Sequence, residues 1–222
     1  MSAPINSATN PAPHTPLART PGAYTPSPDA PGAARAVTRV GLALAVSAPL
    51  WAVVMTVIAD HEGFGWQSLV GGVTALAFQL SILGLLWVQD SNGAMTRPGG
   101  AGKVARIGYR IEAAVVCGAI VSTIFDSFWL IQGTVVWHVF DLCWPLSMLG
   151  MLIIGIRVAI AGRWKSPLRW QVLFAQAWLL FGIPLSVLGQ IGFIAVTVQV
   201  FLGYGLLGVL LARRPQAALT RG

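Results

Sequence analysis

Asp126, His138 and Asp141, which can all carry protons, lie inside long apolar segments of the sequence. Ionisable groups at membrane depth are costly, so they usually face the interior of a helix bundle and mark a functional site. Asp126 lies shortly before the end of one segment at Ile131, and Asp141 lies shortly after the start of the next at Val135. The helical rise therefore predicts both carboxyl groups at the same depth, roughly 8 Å below one surface. His138 precedes Asp141 by one helical turn and shares its face.

This arrangement favours acid chemistry on an apolar substrate. Two carboxyl groups at one depth resist joint ionisation, so one of them should carry a proton. A protonated Asp can transfer that proton to an olefin or an epoxide, His138 can restore it, and tryptophan faces can stabilise the resulting carbocation. The predicted catalytic residues are therefore Asp126, Asp141 and His138, and the predicted substrate-binding residues are Trp129, Trp137, Trp144 and Ser122.

Other functions use the same residue types. The acids and His138 could form the proton relay of a proton-coupled small-molecule transporter. They could also hold helices together in a non-catalytic membrane subunit of a larger complex. Tryptophans at this depth are typical of an interfacial aromatic belt. Glu112 lies close in sequence to Arg106 and Arg110, near the basic end of its segment, and is expected to pair with them.

Small residues line one face of the segment that carries Asp126. Ala114, Gly118 and Ser122 precede it at intervals of four residues. Transmembrane helices approach each other closely along such faces, so the pattern predicts that Asp126 faces protein rather than lipid.

The sequence contains no phosphate-binding loop, nucleophile elbow or zinc-protease motif. His138 is the only histidine within a predicted span, which argues against a haem held between two membrane histidines. The acids and histidine at 60–62 are adjacent and cannot all turn toward one metal ion. Cys117 and Cys143 lie in predicted helices without metal-ligand spacing, and we expect two buried structural thiols. Neither a cofactor nor a metal is therefore expected.

Six apolar segments must position these side chains, each with about 20 residues, the length that crosses a bilayer as a helix. They are Val40–Ala59, Trp66–Val88, Ile111–Ile131, Val135–Ile156, Trp170–Leu188 and Ile191–Leu211. The uncharged stretch that begins at Trp170 is about twice as long as one span, so it should turn at Gly189. The sequence predicts an all-α polytopic membrane protein with six transmembrane helices arranged as three helical hairpins.

All 14 basic residues flank these segments on one side. The opposite connections, at 60–65, 132–134 and 189–190, contain none. Bases stay in the cytoplasm, so the pattern predicts a multi-pass protein of the cell membrane with both termini cytoplasmic. The net charge of +7 then reflects topology and contact with membrane lipid, and no nucleic-acid partner is expected.

The segments define the predicted domains. Residues 1–34 are rich in Pro, Ser, Thr and Ala and predict a disordered cytoplasmic tail. Residues 35–214 form the transmembrane domain, and residues 215–222 a short cytoplasmic tail. This leaves no room for a water-soluble domain, and a lipophilic small molecule is the expected ligand. The oligomeric state is not indicated.

With these features the chain resembles the small, all-helical, membrane-bound terpene cyclases that act on prenylated natural products. The resemblance rests on size, on isolated intramembrane acids and on Asp126, Trp129, Trp137 and Asp141. It covers the span bundle, and it implies acid-initiated cyclisation of an isoprenoid-like substrate. The chain departs from the family in its six predicted spans, where fungal members are thought to have seven, and in having no acid after Asp141.

Overall fold

A computed structural model describes residues 31–58, 63–97, 102–165 and 167–219. Within these ranges the chain is helical and contains no β-strand, which confirms the predicted all-α class. The predicted tail before Pro31 and the acidic connection at 60–62 lie outside the described residues.

The helices follow one another with short connections. In chain order they are α1 (Pro31–Ile58), α2 (Trp66–Ser91), α3 (Lys103–Ser127), α4 (Val135–Asp141), α5 (Cys143–Ala161), α6 (Leu168–Gln176), α7 (Trp178–Ser186), α8 (Gln190–Val200), a π-helical turn (Phe201–Gly205), α9 (Leu206–Arg213) and α10 (Gln216–Leu219).

In the described part of the chain, five helical units are long and apolar enough to cross a membrane. They are α1, α2, α3, the continuous unit α4–α5 and the unit formed by α8, the π-helical turn and α9. The remaining predicted span, Trp170–Leu188, consists instead of the shorter α6 and α7. At their junction Leu180 N–H donates to the Ala177 carbonyl at 2.9 Å, a 3₁₀-type bond that interrupts the α-helical pattern.

At both ends the helices extend beyond the limits predicted for the transmembrane domain, residues 35–214. α1 already begins at Pro31, within the predicted tail, and proline suits a first helical position because the N–H there needs no helical partner. At the other end Ala218 and Leu219 of α10 are buried. The short helix α10 therefore packs onto the bundle through its apolar side chains.

The helices close into a ring. α1 packs against α2, α2 against α3, α3 against α5 and α5 against α6, while α6 contacts α9, which returns to α1. Gly41 of α1 and Gly208 of α9 meet where the ring closes, and a methyl group added at Gly208 would lie 2.6 Å from the Gly41 carbonyl oxygen. We call this contact the α1–α9 seam. The two backbones approach so closely because neither residue has a side chain.

The π-helical turn is stabilised by a neighbouring helix. Gln171 of α6 donates from Nε2 to the carbonyls of Leu202 and Gly203, at 3.0 and 2.8 Å. A π-helical turn weakens the regular carbonyl pairing of a helix, and a side-chain donor from α6 compensates for it.

Aromatic side chains fill the centre of the ring. Trp51 of α1 stacks on Phe78 of α2 and on Trp144 of α5, with ring centroids 5.0 and 6.0 Å apart. Trp178 of α7 meets Trp51 edge-on at 6.2 Å, and Tyr204 meets Phe78 at 5.2 Å. These five rings are called the aromatic cluster below. They come from five different helical elements and fix their relative positions.

Candidate functional site

A cavity of about 450 Å³ lies next to the aromatic cluster, at the end of the bundle opposite the basic connections. We call it the outer cavity. Three indoles line it, those of Trp51, Trp144 and Trp178. Asp126 is the one acid among the described residues of the lining, and the polar residues Ser68, Thr123 and Ser127 accompany it. An apolar chamber with a few convergent polar groups is the usual form of a small-molecule site.

The Asp126 side chain is held from the turn that follows α3. Trp129 and Ile131 adopt positive φ values of 53° and 50°, which fold this turn back over the end of the helix. The side chain of Gln132 then donates from Nε2 to Asp126 Oδ1 at 3.0 Å. Trp137 of α4 donates from Nε1 to the same oxygen at 2.7 Å. Both donors use Oδ1, and no described residue hydrogen-bonds to Oδ2.

α4 begins where Trp137 can reach Asp126. Thr134 caps this helix, and its Oγ1 accepts from the Trp137 backbone N–H at 3.2 Å. The same hydroxyl donates to the Ile131 carbonyl at 2.7 Å. The cap thus couples the turn to the helix start and orients the indole toward Asp126.

His138 and Asp141 lie at the same end of the bundle but outside the lining of the outer cavity. His138 is exposed and packs its ring against Trp137 at 4.8 Å. Asp141 is half-buried and within electrostatic range of both Asp126 and His138. In the described part of the chain no hydrogen bond joins Asp126 to either residue. The shared proton therefore stays a prediction.

The predicted substrate-binding residues have four different positions. Trp144 lines the outer cavity, whereas Trp137 acts on Asp126 through its N–H. Trp129 is 48 % exposed on the turn. Ser122 is fully buried, its Oγ has no hydrogen-bond partner among the described residues, and it does not line the outer cavity.

Sequence reasoning missed two of the three indoles in the outer cavity, Trp51 and Trp178. Trp51 lies near the middle of the first predicted span, at a depth that an interfacial aromatic belt does not reach. That depth could have distinguished it from the belt tryptophans. Thr123 was also missed. It accepts from Gln79 Nε2 at 2.9 Å and links the outer cavity to the polar interior of α2.

The structure corrects the expected pairing of Glu112. Its side chain is only 4 % exposed and faces Gly150 of α5, and Oε1 has no hydrogen-bond partner among the described residues. The bases Arg106 and Arg110 lie instead within electrostatic range of Asp90. Residues two positions apart on a helix point in nearly opposite directions, so Glu112 faces inward while Arg110 is exposed.

The expected burial of both thiols is also wrong. Cys117 is exposed and Cys143 is partly exposed. Cys117 lies on a side of α3 that is not covered by another helix, whereas Cys143 packs its Sγ against Gly118. Among the described residues there is no group of three or more His, Cys, Asp or Glu side chains that could hold a metal ion.

The fold and the cavity define an all-α protein of the membrane-spanning type with a carboxyl group in an aromatic chamber. Comparisons with protein-family models, curated proteins and solved structures give no match. Function must therefore be argued from the chemistry of the site.

Proposed function

We propose that this chain is an integral membrane enzyme that cyclises a lipophilic, isoprenoid-like substrate in the outer cavity, with Asp126 as the initiating acid. One observation carries the proposal: among the described residues, one carboxyl group shares the lining of a largely apolar cavity with three indoles, and its hydrogen bonds are all on Oδ1. Donors on Oδ1 stabilise the carboxylate that remains after Oδ2 has given up a proton. They also leave Oδ2, the oxygen that would carry and transfer the proton, without a hydrogen-bond partner among the described residues.

The reaction needs no further reagent. The Oδ2 proton is transferred to one carbon of a terminal alkene, whose π electrons form the new C–H bond and leave a tertiary cation. A second alkene attacks this cation and closes a ring, and loss of a proton from the cyclised cation gives a neutral isomer of the substrate. The electron-rich ring faces of Trp51, Trp144 and Trp178 stabilise the carbocation intermediates. Asp141 and His138, at the same end of the bundle, would return the proton to Asp126.

Solvent deuterium tests this mechanism. We expect membrane vesicles containing the full chain to convert a phenol bearing a linear isoprenoid chain into an isomer of unchanged mass. In D₂O the product should carry one non-exchangeable deuterium, because Asp126 equilibrates with solvent before it attacks carbon. Vesicles without the protein are the control. If no isomer forms from the phenol or from its terminal epoxide, the proposed cyclisation is wrong.

A second candidate function is proton-coupled transport, which a specific feature of α3 favours. Glu112, Val116, Ala119, Thr123 and Asp126 follow one stripe of this helix at alternating intervals of four and three residues. Asp126 lines the outer cavity, and Glu112 lines a separate cavity of about 420 Å³ toward the basic end. One acid in each of two cavities is an arrangement that alternating protonation could use.

The same vesicles separate the two candidates. A transporter would accumulate the unmodified phenol when a pH gradient is imposed and would lose this accumulation when the gradient is collapsed. Vesicles that neither convert nor accumulate it would favour the remaining alternative, a non-catalytic subunit of a larger complex.

We also propose that α6 and α7 together make a sixth crossing, so that the helices form three hairpins with both termini in the cytoplasm. The distribution of bases supports this topology, and so does the packing of α6 on α5 and of α7 on α8. The proposed location is the cell membrane, where lipid contacts the exposed apolar side chains.

Cysteine labelling tests the sixth crossing. In a variant with Cys117 and Cys143 replaced by Ser, we expect a membrane-impermeant maleimide to label Gln190→Cys in intact cells. Lys165→Cys should react only after the cells are opened. If α6 and α7 return to the side where they began, Gln190→Cys will be protected in intact cells.

A further inference from the structure

Another cavity lies at the basic end of the bundle, between the first half of α3 and the second half of α5. Its volume is about 420 Å³, and we call it the inner cavity. Most of its lining is apolar, including Ile111, Ile153 and Ile154. Among the described residues of the lining, Glu112 and Arg157 are the two with charged side chains. The volume is within the usual range for small-molecule sites, roughly 300–1,000 Å³.

Glu112 has an unusual position in this lining. It is only 4 % exposed, and its Oε1 accepts no hydrogen bond from any described residue. A methyl group added at Gly150 would overlap the carboxyl group. The glycine thus gives the carboxyl group its space, while no described residue donates a hydrogen bond to Oε1. A buried carboxyl group of this kind needs either a proton or a cation.

The chemistry of the lining restricts which cation fits. Ca²⁺ and Mg²⁺ take about six or more oxygen ligands, whereas the inner cavity offers one carboxyl group among aliphatic side chains. A single ammonium group can form an ion pair with one carboxylate, and an alkyl chain can pack against the isoleucine side chains. Arg157 is exposed and lies two helical turns beyond Gly150, roughly 10 Å nearer the surface. The guanidinium group of Arg157 therefore lies near the surface, and Glu112 is the charged residue further inside the cavity.

We infer that the inner cavity is a binding site for a protonated lipophilic amine, whose ammonium group donates to Glu112 and whose alkyl chain packs against Ile111, Ile153 and Ile154. This site is distinct from the outer cavity. It does not depend on the chemistry proposed for Asp126.

Calorimetric titration tests the inference with n-decylamine and n-decanol as probes. The full chain is placed in nanodiscs of phosphatidylcholine, with empty discs as the blank for partition into lipid. All proteins carry Asp126→Asn, so that the acid of the outer cavity does not contribute. At neutral pH the amine is protonated. We expect it to bind more tightly than the alcohol, and Glu112→Gln should weaken amine binding roughly 10- to 100-fold, the effect of losing one hydrogen bond to a charged group.

Two further variants separate binding in the cavity from adsorption to its surroundings. Gly108 lines the cavity, and a methyl group added there makes only ordinary contact with Met95, at 3.6 Å. Gly108→Leu should therefore fill the space and weaken both probes. Arg157→Gln should retain or strengthen amine binding, because it removes a like charge. The inference is overturned if Glu112→Gln and the parent bind decylamine equally well. It is also overturned if decanol binds the parent as tightly as the amine. Formation of the deuterated isomer is a separate readout, so either proposal can fail alone.

Discussion

Asp126→Asn should abolish conversion of an isoprenoid substrate while the protein still accumulates in the membrane. Asparagine keeps the shape of the side chain and can still accept from Gln132 and Trp137 through its amide oxygen, but it has no acidic proton to transfer. Loss of a positioned general acid typically costs about 10²- to 10⁴-fold in rate. The measurement is the initial rate of isomer formation per amount of folded protein, which size-exclusion chromatography in detergent quantifies.

A matched acid elsewhere in the bundle provides the control. Asp90 lies at the end of α2 near Arg106 and Arg110, and it does not line the outer cavity. Asp90→Asn removes the same chemical group and should leave the rate unchanged. A normal rate in Asp126→Asn would show that the carboxyl group of the outer cavity only supports the structure.

Trp137 and Trp144 should respond for different reasons. Trp137→Phe removes the N–H that donates to Asp126 at 2.7 Å. A hydrogen bond to a charged group contributes about 1.5–3 kcal/mol, so a loss of roughly 10- to 100-fold is consistent with a positioning role. Trp144→Phe keeps an aromatic face in the cavity lining and weakens only its attraction for cations, an effect of roughly tenfold or less.

The orientation of Asp126 could be read from local spacing, whereas the chamber around it could not. The small residues before Asp126 indicate a face of α3 that meets protein, and Asp126 does line a cavity between helices. Trp51 and Trp178 are far from Asp126 in sequence, and they line the same cavity only because the helices pack together in the folded chain. No periodic pattern encodes which helices become neighbours across a ring, because each apolar span satisfies the same length and hydropathy requirements.

Two other differences have equally physical causes. The closeness of Arg106 and Arg110 in sequence predicts that they pair with Glu112. The angular position of a residue on its helix, however, decides which groups its side chain can contact. The fifth predicted span carries no charge, and its one proline, Pro184, lies within α7, so neither charge nor proline marks the interruption between α6 and α7. The 3₁₀-type turn at Ala177 depends on tertiary packing around Gln176, which is fully buried and faces Gln89. Local propensity is a weak guide where such contacts dominate.

A single substitution at the α1–α9 seam should strongly disturb assembly of the helices. A methyl group at Gly208 would lie 2.6 Å from the Gly41 carbonyl oxygen and 2.8 Å from the Ala45 Cα. These are backbone atoms, so no side chain can rotate away and the two helices must separate. Overpacking of this kind costs about 1–3 kcal/mol for a small addition. Gly208→Ala should therefore lower the free energy of unfolding by roughly that amount, and Gly208→Leu should prevent closure of the ring.

The matched control for this prediction is another glycine at the same end of the bundle. Gly32 of α1 has no atom within 4 Å of an added methyl group, so Gly32→Leu should leave stability almost unchanged. Unfolding in detergent, followed by tryptophan fluorescence, measures the three variants against the parent. The aromatic cluster depends on α1 and the π-helical turn keeping their positions, so separation of the seam should also disturb stacking of Trp51 on Phe78. Equal stability of Gly208→Leu and Gly32→Leu would contradict a ring closed by direct contact between α1 and α9.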